Sequence, residues 1–267
     1  MERPVDSVRN PAVAGLFYPA NAQELRAQVH QFVDPVQASD FPVPKAIIAP
    51  HAGYVYSGPI AGSVYARLKK AAGRIRRVIL LGPAHRVAVR GLALPSARFF
   101  QTPLGSVAID QDIAETLLAL PQVSINDATH EEEHSLEVQL PFLQEVLGDF
   151  SLVPMVVGDA TATEVAEVLE TVWGGEETLV VISSDLSHYL DYDTARALDR
   201  QTSDSIESLD YENLGFDQAC GRIPVSGLLR VARKKGLHGK TIDLRNSGDT
   251  AGSRDRVVGY GAYVFHS

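Results

Sequence analysis

Four short apolar runs constrain this chain more than any other feature. They are "KAIIAPH" (45–51), "RRVILLGPAH" (76–85), "FSLVPMVVGD" (150–159) and "ETLVVISSDLSH" (177–188). Each is rich in aliphatic, often β-branched residues and closed by Gly, Pro, Ser or Asp, the reading of a buried strand. Amphipathic helical spacing fills the intervals, at 22–33, 59–71, 111–120, 135–147, 163–173, 194–209 and 224–235. Strands separated by helices require right-handed crossovers, so the expected fold is three-layer α/β, a largely parallel or mixed sheet with helices on both faces. "KTIDLRNS" and "VVGYGAYVFHS" predict two more strands near the C-terminus, at an edge or antiparallel. No repeat or linker divides residues 1–267, so one domain is expected.

Composition narrows the partners. The chain carries 24 basic and 33 acidic residues, a net charge of −9, which is the wrong sign for a nucleic-acid binder. No run of apolar residues is long enough to cross a membrane. The opening "MERPVDSVRNPAVAG" has no apolar signal core, and Cys220 is the only cysteine, so a reducing cytoplasmic setting is expected.

In open α/β sheets ligands collect beyond the carboxyl ends of the strands. His51, His85 and His188 each follow one of the apolar runs, next to small turn residues, and so are expected at one rim. Asp185 stands three residues before His188, where an aspartate can orient an imidazole or take its proton. His188 then serves as acid or base near neutral pH. Cys220 lies in "FDQACGRIPVSGLL" beside Arg222 and a helix start, a setting that favours thiolate. Two neutral imidazoles with one thiolate hold a divalent metal and leave positions open, as two histidines and a carboxylate do in non-haem iron sites. The same donors suit zinc or copper.

A competing motif is His130-Glu-Glu-Glu-His134, which satisfies the H-E-x-x-H pattern of zinc hydrolases through His130, Glu131 and His134. That chemistry needs both histidines inside one continuous helix. Here the apolar helical spacing begins only at Leu136, and Pro141 lies six residues past His134. His134 is therefore expected to reach the pocket from a first helical turn and His130 to be peripheral.

Seven segments in order, "NPAVAGLFYP", "IIAPHAGYVYSGP", "LLGPAHR", "HEEEHSLEVQLPFLQ", "ISSDLSHY", "CGRIPV" and "GYGAYVF", resemble the Memo family over nearly the whole chain. Memo proteins are similar in fold to the catalytic subunits of class III extradiol ring-cleavage dioxygenases, which carry non-haem iron. The resemblance implies a metal site at His51, His85 and Cys220, with Fe(II) the first candidate ion, and a neighbouring acid/base pair in Asp185 and His188. It further implies a substrate pocket reaching Phe17 and Tyr56, to which His134 and Arg222 are added as expected contacts. The implied ligand is a small molecule or a phosphotyrosine-like peptide, and a radical-SAM protein is an implied pathway partner. The family's dioxygenase relatives use a carboxylate where this chain has Cys220, a departure that bears on ring cleavage because thiolates oxidise beside iron and oxygen. The readings carried forward are a metal-dependent oxidoreductase and a non-catalytic metal- or peptide-binding protein.

Overall fold

The computed structural model describes residues 7–36 and 42–267. In chain order the strands are β1 (Val8–Arg9), β2 (Ala46–Ala49), β3 (Arg77–Pro83), β4 (Leu92–Leu94), β5 (Phe99–Thr102) and β6 (Gly105–Ala108). They continue with β7 (Val123–Ile125), β8 (Ser151–Val157), β9 (Thr178–Ser183), β10 (His188–Leu190), β11 (His238–Asn246) and β12 (Val257–His266). The helices are α1 (Ala22–Val33), α2 (Tyr54–Tyr65), α3 (Gln111–Leu117), α4 (Ala128–Glu131), α5 (Leu140–Leu147), α6 (Ala162–Thr171), α7 (Tyr192–Glu207) and α8 (Arg222–Lys235).

The four apolar runs form the centre of the larger sheet, whose order is β10-β12-β2-β9-β3-β8-β4-β7 with β11 on the other side of β12. β2, β9, β3 and β8 are parallel. β12 closes antiparallel on β2, and β4 antiparallel on β8, so the sheet is mixed. The C-terminal pair β11–β12 is antiparallel, with β11 at the edge, as its sequence predicts. β1, β5 and β6 form a separate three-stranded sheet. Among the described residues no helix is long and apolar enough to cross a membrane.

Strand side chains alternate between two cores. Ile47, Val78, Leu80 and Val181 face α1, α2 and α5, where Leu25, Val29, Ile60 and Phe142 meet them. Ile48, Ile79, Leu81 and Ile182 face α6 and α8, against Val165, Leu169 and Leu228. Because both faces are covered, the strands read as continuous apolar runs with no polar alternation.

Two helix starts differ from the spacing. α2 begins at Tyr54, five residues before the expected Pro59, which sits inside the helix. The helix is positioned by close packing on α1: a Cβ on Gly62 would lie 2.6 Å from Phe32 O. The segment expected as helix from Ser135 instead makes a 3-10 turn at Glu137–Gln139, and α5 starts at Leu140 with Pro141 in its first turn. Proline is tolerated there because first-turn N–H groups have no helical acceptor. α4 is one turn that ends at Glu131, so His130 and His134 do not share a helix.

Candidate metal centre

Three neighbouring parallel strands deliver the site. β2 ends at Ala49, two residues before His51; β9 ends at Ser183, two before Asp185; β3 ends at Pro83, two before His85. Since β9 lies between β2 and β3, Asp185 emerges between the two histidines at one rim of the sheet. The 3-10 turn and its lead-in, residues 133–139, cross this rim and add a third imidazole. A ring nitrogen from each of His51, His85 and His134 lies within 4.8 Å of the other two. The ring centroids are 5.1 Å apart for His51 and His85, 5.4 Å for His51 and His134, and 4.6 Å for the stacked His85 and His134.

The hydrogen bonds fix which nitrogens carry protons. Ser183 Oγ donates its one proton to Ser135 O at 2.6 Å and accepts from Gln139 Nε2 at 2.8 Å. Its contact with His51 Nδ1, at 2.8 Å, must then be a donation from the ring, which leaves His51 Nε2 with a bare lone pair. His85 Nδ1 lies 2.9 Å from Glu133 Oε1, and His85 N donates to Glu133 Oε2 at 2.6 Å. Burial would raise the Glu133 pKa, but hydrogen bonds from the His85 ring and from the Ser135 and His85 backbone hold it down to about 2. As a carboxylate it only accepts, so His85 Nδ1 carries a proton and Nε2 is the ring's remaining nitrogen. His134 Nδ1 is buried without a hydrogen-bond partner, 3.3 Å from Glu133 Oε1 at an angle that makes no bond.

The cluster is electrically poised for a cation. Burial, with the adjoining His85, His134 and His188, drives the His51 pKa well below its usual value. Burial, with the His85 and Arg86 charges acting against the attraction of Glu133, lowers His134 to about 4. Both rings are therefore neutral at pH 7 and able to donate lone pairs. Fixed tautomers supported by a carboxylate and a serine hydroxyl are the surroundings that ligating histidines have in metal proteins, and the residues present fit a divalent ion.

Cys220 lies against this cluster but is not among the three residues whose ligand atoms all fall within 4.8 Å of one another. Its Sγ lies 3.4 Å from His51 Nε2 and 3.7 Å from Asp185 O. Gly221 makes the approach possible, since a Cβ there would stand 2.7 Å from Ser184 Cβ. The expectation of a thiolate does not hold for the thiol as it stands: burial, with the nearby Asp185 charge, pushes its pKa up to about 12. Arg222, which was to supply the favourable charge, turns away and lies 3.4 Å over the Phe216 ring.

A cleft of about 740 Å³ opens from the histidines, lined by Phe17, Tyr56, Asp185, His188, Tyr189 and Tyr260 among others. Phe17 packs 4.8 Å from the His134 ring. Asp185 is 4% exposed and accepts from His51 N at 2.7 Å, while burial raises its pKa to about 6. His188 Nδ1 donates to Leu186 O at 2.8 Å, which leaves Nε2 free on an exposed ring at the mouth. Of the residues expected here, the structure gathers His51, His85, His134, Asp185, His188, Phe17 and Tyr56 around the cleft. Cys220 and Arg222 are not part of its lining. Arg86 and Arg256 do line it: Arg86 closes the segment "LLGPAHR" without a role assigned from sequence, and Arg256 lies outside every segment singled out there.

His130 is elsewhere. Its Nε2 bonds Ala93 O at 2.9 Å and its ring packs edge-on to Phe100 at 5.9 Å, so the hydrolase pattern is split between a core histidine and a cluster histidine.

A family profile described as Memo-like protein matches residues 9–264. A MEMO1 family protein of Archaeoglobus fulgidus is 39% identical over 274 residues, spanning 97% of this chain and 99% of the relative. One from Aquifex aeolicus is 37% identical over 269 residues, again spanning 97% and 99%. The crystal structure of an uncharacterized Escherichia coli K12 protein superposes with a TM-score of 0.55 at 14% identity, covering 82% of this chain and 99% of that one, a likeness of fold alone. With the profile running from Arg9 into the last strand, the chain belongs to the Memo family.

Proposed function

We propose that the cleft is a metal-dependent active site of the non-haem oxidoreductase kind, acting on a small aromatic substrate. In this reading His51, His85 and His134 hold a divalent metal, with Cys220 beside His51 as an accessory donor. The observation that carries it is the convergence of three imidazoles, two with their outer nitrogens committed to Ser183 and Glu133. Three neutral ligands leave coordination positions open and the full +2 charge in place. A redox-active ion such as Fe(II) would supply Lewis acidity and electrons to dioxygen there.

The protein's own groups do the rest. Phe17, Tyr56 and Tyr260 give the cleft aromatic walls for a flat ring. Asp185, with its pKa near 6, takes up or releases a proton at physiological pH. His188 Nε2, unengaged at the mouth, relays it to solvent. Arg86 and Arg256 draw an anionic group on the substrate toward the rim.

The test is metal content of protein purified without chelators or affinity nickel, followed by anaerobic Fe(II) loading and oxygen uptake with a catechol panel. The proposal expects metal occupancy to fall in His51→Ala, His85→Ala and His134→Ala, to persist in Cys220→Ser, and turnover to vanish in His188→Ala. Occupancy that survives His134→Ala but not Cys220→Ser would return the third position to sulfur. Tight metal or phosphotyrosine-peptide binding with no turnover on any substrate would favour the non-catalytic reading, which the roomy cleft mouth also accommodates.

A further inference from the structure

Away from the histidines, where α7 packs on β11, a second cleft of about 320 Å³ is walled by Arg196, Arg200, Arg245, Asn246, Asp199 and Asp249. Three guanidinium groups at one cleft stand out in a chain of net charge −9. Arg196 and Arg200 are one helical turn apart, a spacing at which like charges repel. Among the described residues neither forms an ion pair, and Arg196 rests 5.5 Å over the Tyr192 ring.

The carboxylates at the cleft have donors of their own. Asp249 accepts from Tyr192 Oη at 2.5 Å and from Asn246 N at 3.0 Å. Asp199 accepts from Ser187 N at 3.0 Å and packs so close under Gly259 that a Cβ there would lie 2.0 Å from Asp199 Oδ2. Of the three, Arg245 has an ion-pair partner, Asp243, which it grips with both Nε, 2.9 Å from Oδ1, and Nη2, 2.5 Å from Oδ2. Asn246 is 1% exposed; its Oδ1 accepts from Gly248 N at 2.9 Å, but its Nδ2 is buried with no partner at all. A buried donor left unmade is costly, and such groups ask for a missing acceptor.

We propose that this cleft is a second binding site, for the phosphate group of a small molecule, with Arg196 and Arg200 as forked donors, Arg245 adding the Nη1 that Asp243 leaves open, and Asn246 in the wall of the same cleft. Guanidinium forks match phosphate oxygens, and two open forks side by side suit a dianion better than a single carboxylate. The volume is at the small end for ligand clefts, which fits inorganic phosphate or a compact phosphomonoester. The site also has a route to the histidine cleft. The Asn246–Asp249 turn continues into the segment whose Ser247, Gly252, Ser253 and Arg256 wall that cleft.

The experiment is isothermal titration of the whole chain with inorganic phosphate and with glycerol phosphate. Chelator is present so that no metal competes for the anion. The expected result is one saturable site, weakened at least tenfold in Arg196→Gln/Arg200→Gln and in Asn246→Asp, and unchanged in Arg86→Gln/Arg256→Gln. Asn246→Asp keeps the acceptor for Gly248 N while replacing the free donor, and unchanged thermal melting will show that the turn survives. Tighter binding of the ester assigns the site to a phosphomonoester, and tighter binding of the free ion assigns it to phosphate itself. Absence of saturable binding, or binding lost only in Arg86→Gln/Arg256→Gln, overturns the proposal.

Discussion

His85 and Glu133 meet twice: the ring Nδ1 lies 2.9 Å from Oε1, and the His85 backbone N donates to Oε2 at 2.6 Å. One carboxylate thereby fixes both the position of the residue and the tautomer of its ring. The same Oε1 accepts from His134 N and Ser135 N, each at 2.9 Å, so Glu133 ties the third imidazole to the second.

Glu133→Gln is expected to loosen the site. A glutamine offers one acceptor where the carboxylate offers two, and its NH2 would face a backbone donor. Supporting residues of this kind are worth about 10- to 100-fold in metal affinity. A competitive titration of Co(II) or Zn(II) against a chromophoric chelator reads the loss directly. An unchanged affinity would remove Glu133 from the metal site.

Ser183→Ala tests the other lock. Without Oγ, His51 Nδ1 has no acceptor, and both tautomers of the ring become accessible. Long-range nitrogen–proton NMR of labelled histidine should show Nδ1–H alone in the native chain and a mixture in the variant. Metal affinity should fall roughly tenfold, the lower end for lost support of a ligating histidine. A single Nδ1–H signal in Ser183→Ala would mean that some other group sets the tautomer.

The sheet was legible because each central strand is apolar on both faces and closed by a turn residue, and that same grammar marks His51, His85 and Asp185. His134 was harder to weigh. Its five-residue motif suggests a helix, whereas α4 stops at Glu131 and the next residues are laid across the strand ends by Glu133 and Glu137. Those contacts join residues 48 and 125 positions apart, which no local pattern encodes. The short strands β4, β5, β6 and β7 escaped for a related reason: three or four residues carry too little periodicity to read. Arg222 misled because a cation near a cysteine in sequence is free to stack on Phe216 instead.

His130→Gln should bind metal as the native chain does and lose part of the acid sensitivity. Burial lowers the His130 pKa to about 4, so it stays neutral in the folded chain while the unfolded chain takes a proton near pH 6.5. The unfolded state then binds more protons between those values, and stability is lost as pH falls from about 6.5 to 4. The share of one histidine is about 3 kcal/mol at the acid end. Urea unfolding at pH 7 and pH 4.5 should show a smaller drop in the variant, with metal content unchanged at pH 7. Loss of metal would revive the hydrolase reading of the motif.

Asp199→Asn should act in the opposite sense. Burial raises the Asp199 pKa to about 6, above its unfolded value near 4. Here the folded chain holds the extra proton, so stability falls as pH rises from about 4 to 6. Asparagine keeps an acceptor for Ser187 N and carries no charge. At pH 7 the variant should be more stable by roughly 2 kcal/mol, with no difference at pH 4. Chemical denaturation at the two pH values decides it, and a variant less stable at pH 7 would contradict the assignment.

Glu137 anchors the N-terminal segment from inside the core. Fully buried, it pairs with Arg9 and accepts from Tyr18 Oη, from Ala12 N at 2.7 Å and from Val13 N at 3.0 Å. Arg9 also reaches His130 O at 2.9 Å and Glu133 O at 2.6 Å, so one ion pair staples residues 9–18 to the loop that carries His134. Phe17, the aromatic wall against the His134 ring, is carried on that segment. Glu137→Ala leaves the Arg9 charge buried and unpaired, at a cost of about 3–5 kcal/mol. The consequence should be local first. Proteolysis under native conditions is expected to cut between Arg9 and Tyr18 in the variant but not in the native chain. Any ligand that stacks on Phe17 should bind more weakly while the affinity of the histidines for added metal is unchanged. A variant that unfolds as one unit, with no early cleavage in this segment, would show that Glu137 holds up the whole core and not the cleft wall.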